Sequence, residues 1–186
     1  MSETKSKVFH APTGDAAMET ASAMARETFK YFWRELTWEY RRIVPGLELA
    51  AVKAAFGDDG GRPDDVEHMW AADVRFDGDR ITATLLNQPN HVRSVKAGDR
   101  VTLPPGEIED WMYVMRRKVY GGFTIQTMRK QMSASERRAH DSAGGFDFGE
   151  PDVVQLVPDW NAKEPGILGR HVGRKAPPGA ADPDVE

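Results

Sequence analysis

The chain contains no cysteine. That excludes disulfide frameworks, thiolate zinc sites, iron–sulfur clusters and thiol nucleophiles. No apolar stretch approaches the roughly 18 residues a membrane helix requires, so no membrane partner is expected. Met1 to His10 carries Lys5 and Lys7 with no apolar run behind them, which does not read as a signal peptide. The expectation is a soluble cytoplasmic protein. His-Glu-x-x-His, Gly-x-Ser-x-Gly and the glycine-lysine signature of phosphate loops are all missing. The five histidines, at 10, 68, 91, 140 and 171, show no ligand spacing. Neither a metal, a cofactor nor a catalytic residue is predicted, and no internal repeat points to a solenoid.

What is present argues for one folded domain. Among 186 residues, 40% are hydrophobic and 29% charged, with five Trp, eight Phe and four Tyr, a composition that rules out disorder throughout. Residues 1–14 read as a flexible lead, 15–158 as a single α+β domain, and 159–186 as an extended or disordered tail punctuated by Pro165, Pro177, Pro178 and Pro183. Ala21, Ala25, Phe29, Phe32, Leu36, Tyr40 and Ile43 recur at the spacing of one helix face. The helix is expected from Asp15, a suitable cap, to Arg42, with Pro45-Gly46 as its stop.

After the helix the period changes to that of strands. Leu47–Phe56, Glu67–Phe76, Arg80–Leu86, Val101–Leu103 and Glu107–Met115 are separated by short turns, with Asp77-Gly78-Asp79 as the plainest hairpin signal. Short turns imply a mostly antiparallel sheet with the helix packed on it. Ile108, Asp110, Met112 and Val114 are expected on one face, Trp111, Tyr113 and Met115 on the other. Tyr120-Gly121-Gly122-Phe123 reads as a loop or bulge, Thr124–Ala139 as a helix, and Val153–Val157 as one last short strand. Ser133-x-x-Glu136 fits a capping box and could mark a second helix start within that stretch.

Charge is divided. Asp58–Asp79 carries eight acids and two bases, whereas Met112–His140 carries seven bases and one acid. Such a split suits either a binding face or two solvated surfaces that attract one another. In the first case Arg116, Arg117, Lys118, Arg129 and Lys130, beside aromatics, are candidates to grip nucleic acid. Among polar residues Lys53, Glu67, His68 and Asp110 stand out, and Trp70, Trp111 and Tyr113 could wall a pocket. Glu67 and His68 point to opposite faces of a strand, so a functional His68 needs a carboxylate from another strand, such as Asp110. Asp110, if buried, needs Lys53, His68 or a backbone amide as donor.

The order Ala25-Arg26-x-Thr28-Phe29-x-x-Phe32-Trp33, Val52-Lys53-x-x-Phe56, Glu67-His68-Met69-Trp70, Leu86-Asn87-x-Pro89, Lys96-x-Gly98-Asp99-x-Val101, Ile108-x-Asp110-Trp111-Met112-Tyr113 and Tyr120-Gly121-Gly122-Phe123-Thr124 resembles the YegJ-like family of small bacterial domains of unknown function. The resemblance covers approximately residues 15–132. It implies a compact bacterial domain and brings no established activity. Three readings follow: a non-enzymatic module binding a protein or small ligand, a nucleic-acid binder acting through the basic 116–138 region, and a hydrolase or lyase using His68 with Glu67 or Asp110.

Overall fold

A computed structural model describes residues 15–60, 62 and 65–159. The expected lead, and the tail from Trp160 onward, lie outside these residues. The order of elements is α1 (Ala16–Glu39), β1 (Leu49–Gly57), β2 (Val66–Phe76), β3 (Ile81–Leu85), β4 (Arg100–Leu103), β5 (Ile108–Met115), β6 (Lys118–Gly121), α2 (Phe123–Lys130) and α3 (Ala134–Gly144). A single 3-10 turn, Pro105–Glu107, precedes β5. This is the expected α+β arrangement, a helix on an antiparallel sheet.

Asp15 caps α1 by accepting from the Ala17 amide at 2.9 Å, and Ala21, Ala25, Phe29, Phe32 and Leu36 form its buried stripe. The helix stops before the expected Arg42. The reason is local: Glu39 turns back to accept from the Gly46 amide at 2.8 Å and to pair with Arg42 at 2.6 Å, which folds the following turn against the helix end. Tyr40 therefore sits half-exposed with its hydroxyl on the Val74 carbonyl, and Ile43 is fully exposed. The pattern also hid Glu35, which is wholly buried and 3.2 Å from Arg34.

The six strands run in the order β4-β3-β2-β1-β5-β6 and every pairing is antiparallel. From Leu103 to Ile108 the chain takes five Cα steps, at most about 19 Å. That link joins one end of β4 to the opposite end of β5, with three strands between them. The sheet must therefore curl strongly, and α1 fills its concave side with Val52, Met69, Ile81, Leu85, Trp111 and Tyr113.

Two irregularities redirect side chains. A register shift between Lys53 and Ala54 makes Glu109 the extra residue, so Ile108 turns inward beside Trp111 rather than sharing the Asp110 face. A second shift follows Ala72, where Asp73 has φ 51°, and it sends Val74 and Phe76 to the helix side and Arg75 outward.

Three expectations need correction. Residues 120–123 are not a loop or bulge: Tyr120 and Gly121 end β6, Gly122 caps α2 at φ 72°, and Phe123 begins that helix. The helix expected over 124–139 is two, divided where Ser133 and Glu136 form the capping box. Residues 153–157 form no strand, although the Gln155 carbonyl accepts from the Gly121 amide at 2.7 Å.

Candidate functional site

Two carboxylates organise the parts of the molecule that carry the family-like motifs, and each does so by collecting backbone amides. Glu67 leaves β2 on the helix side and reaches the long connection between β3 and β4. It accepts from the amides of Asn90, His91 and Val92 at 2.8, 2.6 and 2.9 Å, and from the Asn90 side chain at 3.1 Å. Burial alone would raise its pKa, but these four donors outweigh it and hold the carboxyl at about 2. Asp58 continues the grip by accepting from the Arg93 and Ser94 amides, both at 2.7 Å. Gly98, at φ 84°, closes the connection before β4, as its position in Lys96-x-Gly98-Asp99 predicts. The fourteen residues Leu86–Asp99 thus hold one conformation without belonging to a helix or strand.

Asp110 is the buried counterpart. One carboxylate oxygen accepts from the Trp111 and Phe123 amides at 2.8 and 3.0 Å; the other accepts from the Thr124 amide and hydroxyl at 2.8 and 2.7 Å. It caps α2 from a neighbouring strand, a role that Gly122 cannot fill because it has no side chain. Burial pushes its pKa up to about 6 despite those four bonds. Lys53 reaches this cluster only at its rim, 3.5 Å from the Thr124 hydroxyl.

The expected pairings of His68 are therefore replaced. Its Nδ1 lies 2.7 Å from Glu109, the bulged residue, and both side chains are partly exposed. Glu67 and Asp110 are both occupied by amides and stand on opposite faces of the sheet, so no acid–base pair with His68 is assembled. Trp111 and Tyr113 are sealed in the core: the Trp111 indole donates to the Ala25 carbonyl at 2.8 Å and the Tyr113 hydroxyl to the Leu156 carbonyl at 3.1 Å. They wall no open pocket.

The basic 116–138 region does not form one patch either. Arg129 is 2% exposed and is held by Gln126, the Gly149 carbonyl and Asp141. Lys130 pairs with Asp152 at 3.6 Å on the surface. Arg116 and Arg117 are the two central residues of the β5–β6 hairpin turn, both at positive φ, and Glu48 accepts from the Arg117 amide. Lys118 opens β6 and is exposed.

What remains open is half of the convex face. Over β5 and β6 it is covered by Ile125, Met128, Phe146 and Phe148. Over β1–β4, register places Lys53, His68, Trp70, Ala72, Arg75, Thr82, Thr84, Arg100 and Thr102 outward, and none of them is buried. Trp70 packs partly against the covered half and is flanked by Lys53 on the next strand. Among the described residues no three His, Asp or Glu side chains are grouped to hold a metal ion. No described helix is long and apolar enough to cross a membrane.

Comparison with known proteins agrees with the motif resemblance. A Neisseria meningitidis serogroup B protein named "Putative ankyrin repeat protein" is 46% identical over 152 residues, which is 82% of this chain and 60% of that protein. The uncharacterized protein YegJ of Escherichia coli K12 is 35% identical over 78 residues, 42% of this chain and 48% of YegJ. The chain thus matches about half to three-fifths of these relatives' lengths. No solved structure matches. A family model spanning residues 15–148 fits the sequence, and the chain belongs to that family, DUF2314, described as an uncharacterized protein conserved in bacteria.

Proposed function

We propose that this DUF2314 chain is a binding module without chemistry of its own, and that it meets its ligand on the open half of the convex face. One observation carries the reading: a tryptophan and several cations stand outward on four paired strands, where a sheet needs only small or polar side chains to stay soluble. The acids and the histidine that chemistry would need are spent elsewhere, Glu67 and Asp110 on amides and His68 on Glu109. The connection 86–99 adds rigidity beside this face, since the Leu86 amide donates to the Trp70 carbonyl at 3.0 Å. Long ordered connections on a rigid scaffold are favoured places for recognition.

The test is amide chemical-shift mapping against mononucleotides, oligosaccharides, and acidic and basic peptides. Shifts should gather on Lys53, Trp70, Thr84 and Arg100 for at least one class. Shifts that gather on residues 116–118 instead, or none for any class, would overturn the reading.

A further inference from the structure

We infer that the partner of the open convex face is a single-stranded nucleic acid, an inference that rests on the binding-module reading and names its ligand. The charge of the face is the first observation. Lys53, Arg75 and Arg100 stand outward on β1, β2 and β4, and neither arginine has an ion pair among the described residues. Of the acids nearest them in the sheet, Asp110, the register partner of Lys53, is buried with its oxygens accepting from amides, Glu109 is engaged with His68, and Asp73 at the β2 bulge is exposed. In a chain of net charge −4, the outward register positions of β1–β4 carry these three cations and no carboxylate, so they complement an anion and disfavour a second copy of the same face.

Layout is the second observation. Trp70 and Lys53 are register partners at one end of the face. Arg100 lies two strands and one pleat repeat from Trp70, a separation of about 12 Å from strand spacing and rise. Arg75 lies a similar distance along β2. A flat ring between separated cations suits a ligand that alternates planar groups with regular negative charges. Single strands are bound by that combination of base stacking and phosphate contacts. Thr82, Thr84 and Thr102 fill the space between with hydroxyls that can donate to phosphate or sugar oxygens. An acidic peptide would use the arginines but gives the tryptophan no role, and duplex DNA needs an element that enters a groove, which a curled sheet face does not offer.

The experiment is fluorescence anisotropy of a labelled 20-nucleotide oligo-dT with the full chain at 20 and 200 mM salt. With about three phosphates neutralised, affinity should fall roughly a hundredfold over that range. Arg75→Glu/Arg100→Glu should weaken binding at low salt more than tenfold and flatten the salt dependence. Trp70→Ala should weaken binding about tenfold, and in the wild type the oligonucleotide should quench tryptophan emission. Arg138→Glu, on the exposed side of α3, serves as control and should bind like the wild type. Circular dichroism establishes that each variant is folded.

Absence of binding at 20 mM salt overturns the inference. So does an equal loss in Arg138→Glu, which would mean diffuse charge attraction, and so does poly-glutamate competing with oligo-dT with no effect of Trp70→Ala, which would point to an acidic protein. In these cases the binding-module reading stands if another ligand class shifts the amides of the same face. It falls only if none does.

Discussion

Glu67 and Asp110 do the same job in opposite surroundings. Each is a carboxylate on a strand, each accepts four hydrogen bonds, and each fixes a segment that has no other means of satisfying its amides. At the rim, Glu67 keeps enough contact with water for the amides to prevail, and its pKa falls to about 2. In the core, Asp110 is fully desolvated, and the same number of bonds leaves its pKa raised to about 6. Hydrogen bonds to backbone amides therefore do not set the sign of a carboxylate's contribution; the access of water does.

The largest effects should come from the buried clasp, because nothing around it can move. Gly121, at φ 77°, lies where a Cβ would sit 2.2 Å from the Trp111 carbonyl oxygen and 2.5 Å from its ring. Gly98, at φ 84° beside the rim clasp, has nothing within 4 Å of the same position. Gly121→Ala should cost roughly 3–5 kcal/mol, combining backbone strain with overpacking, and Gly98→Ala about 1 kcal/mol from backbone strain alone. Urea unfolding measures both, and equal losses would erase the distinction between the two regions.

Removing the carboxylates should rank the same way. Asp110→Ala orphans three buried amides and a hydroxyl, and should cost about 3 kcal/mol or more, the sum of a lost cap and unsatisfied donors. Asp110→Asn keeps one accepting oxygen and should recover part of that. Glu67→Ala releases amides that water can reach, so its cost should be roughly 2 kcal/mol, accompanied by faster hydrogen exchange confined to Asn90, His91 and Val92. A Glu67→Ala loss as large as that of Asp110→Ala would mean that the rim connection is part of the core.

The pH dependence separates the two by sign. Folded Asp110 holds its proton to about pH 6 while the unfolded chain releases it near 3.8. Raising the pH between these values favours unfolding, by about 3 kcal/mol in full. Folded Glu67 stays ionised to about pH 2 while the unfolded chain takes up a proton near 4.5. Its stabilisation is present above 4.5 and is lost toward pH 2, roughly 2–3 kcal/mol after screening at the rim. Glu35, raised by its burial, adds to the first slope. Glu39, where hydrogen bonds with Arg42 and the Gly46 amide outweigh burial, adds to the second with Asp58 and Asp77, both lowered by backbone amides. Asp110→Asn should flatten the decline above pH 4, and Glu67→Gln should flatten the rise below it. Identical changes in the two variants would break the comparison.

Much of this arrangement is legible in residue order. The Phe29–Phe32–Leu36 stripe, the Asp77-Gly78-Asp79 hairpin and the Ser133–Glu136 box are local signals, and each appears where expected. Alternation also predicts that Glu67 and His68 part company. It fails where one extra residue enters a strand. The bulge at Glu109 reverses Ile108 and gives His68 a neighbour that the motif Ile108-x-Asp110 passes over. Strand β6 escapes notice because Arg116-Arg117 forms its turn without glycine or asparagine, the residues that such a turn favours. The role of Asp110 is hidden for a different reason. A cap supplied from another strand leaves no trace in the sequence around the helix it caps. The double glycine before Phe123 is its one signal: Gly121 admits the Trp111 backbone and Gly122 leaves the cap position vacant for Asp110.

The smallest effect should belong to His68 and Glu109, which complete the comparison because here a carboxylate meets a side chain instead of amides. The contact is short, 2.7 Å, but the two side chains keep 38% and 21% of their exposure. Water and salt screen such a pair, and holding both side chains in one geometry costs entropy, so its net contribution should be under about 1 kcal/mol. A double-mutant cycle with His68→Ala and Glu109→Ala isolates it, with unfolding measured at low and high salt. Coupling below 1 kcal/mol that shrinks further in salt is the expected result, and it would free His68 to meet a ligand on the open face at little structural cost. Coupling above roughly 2 kcal/mol, insensitive to salt, would instead make the bulge a third clasp and tie the lower edge of that face into the core.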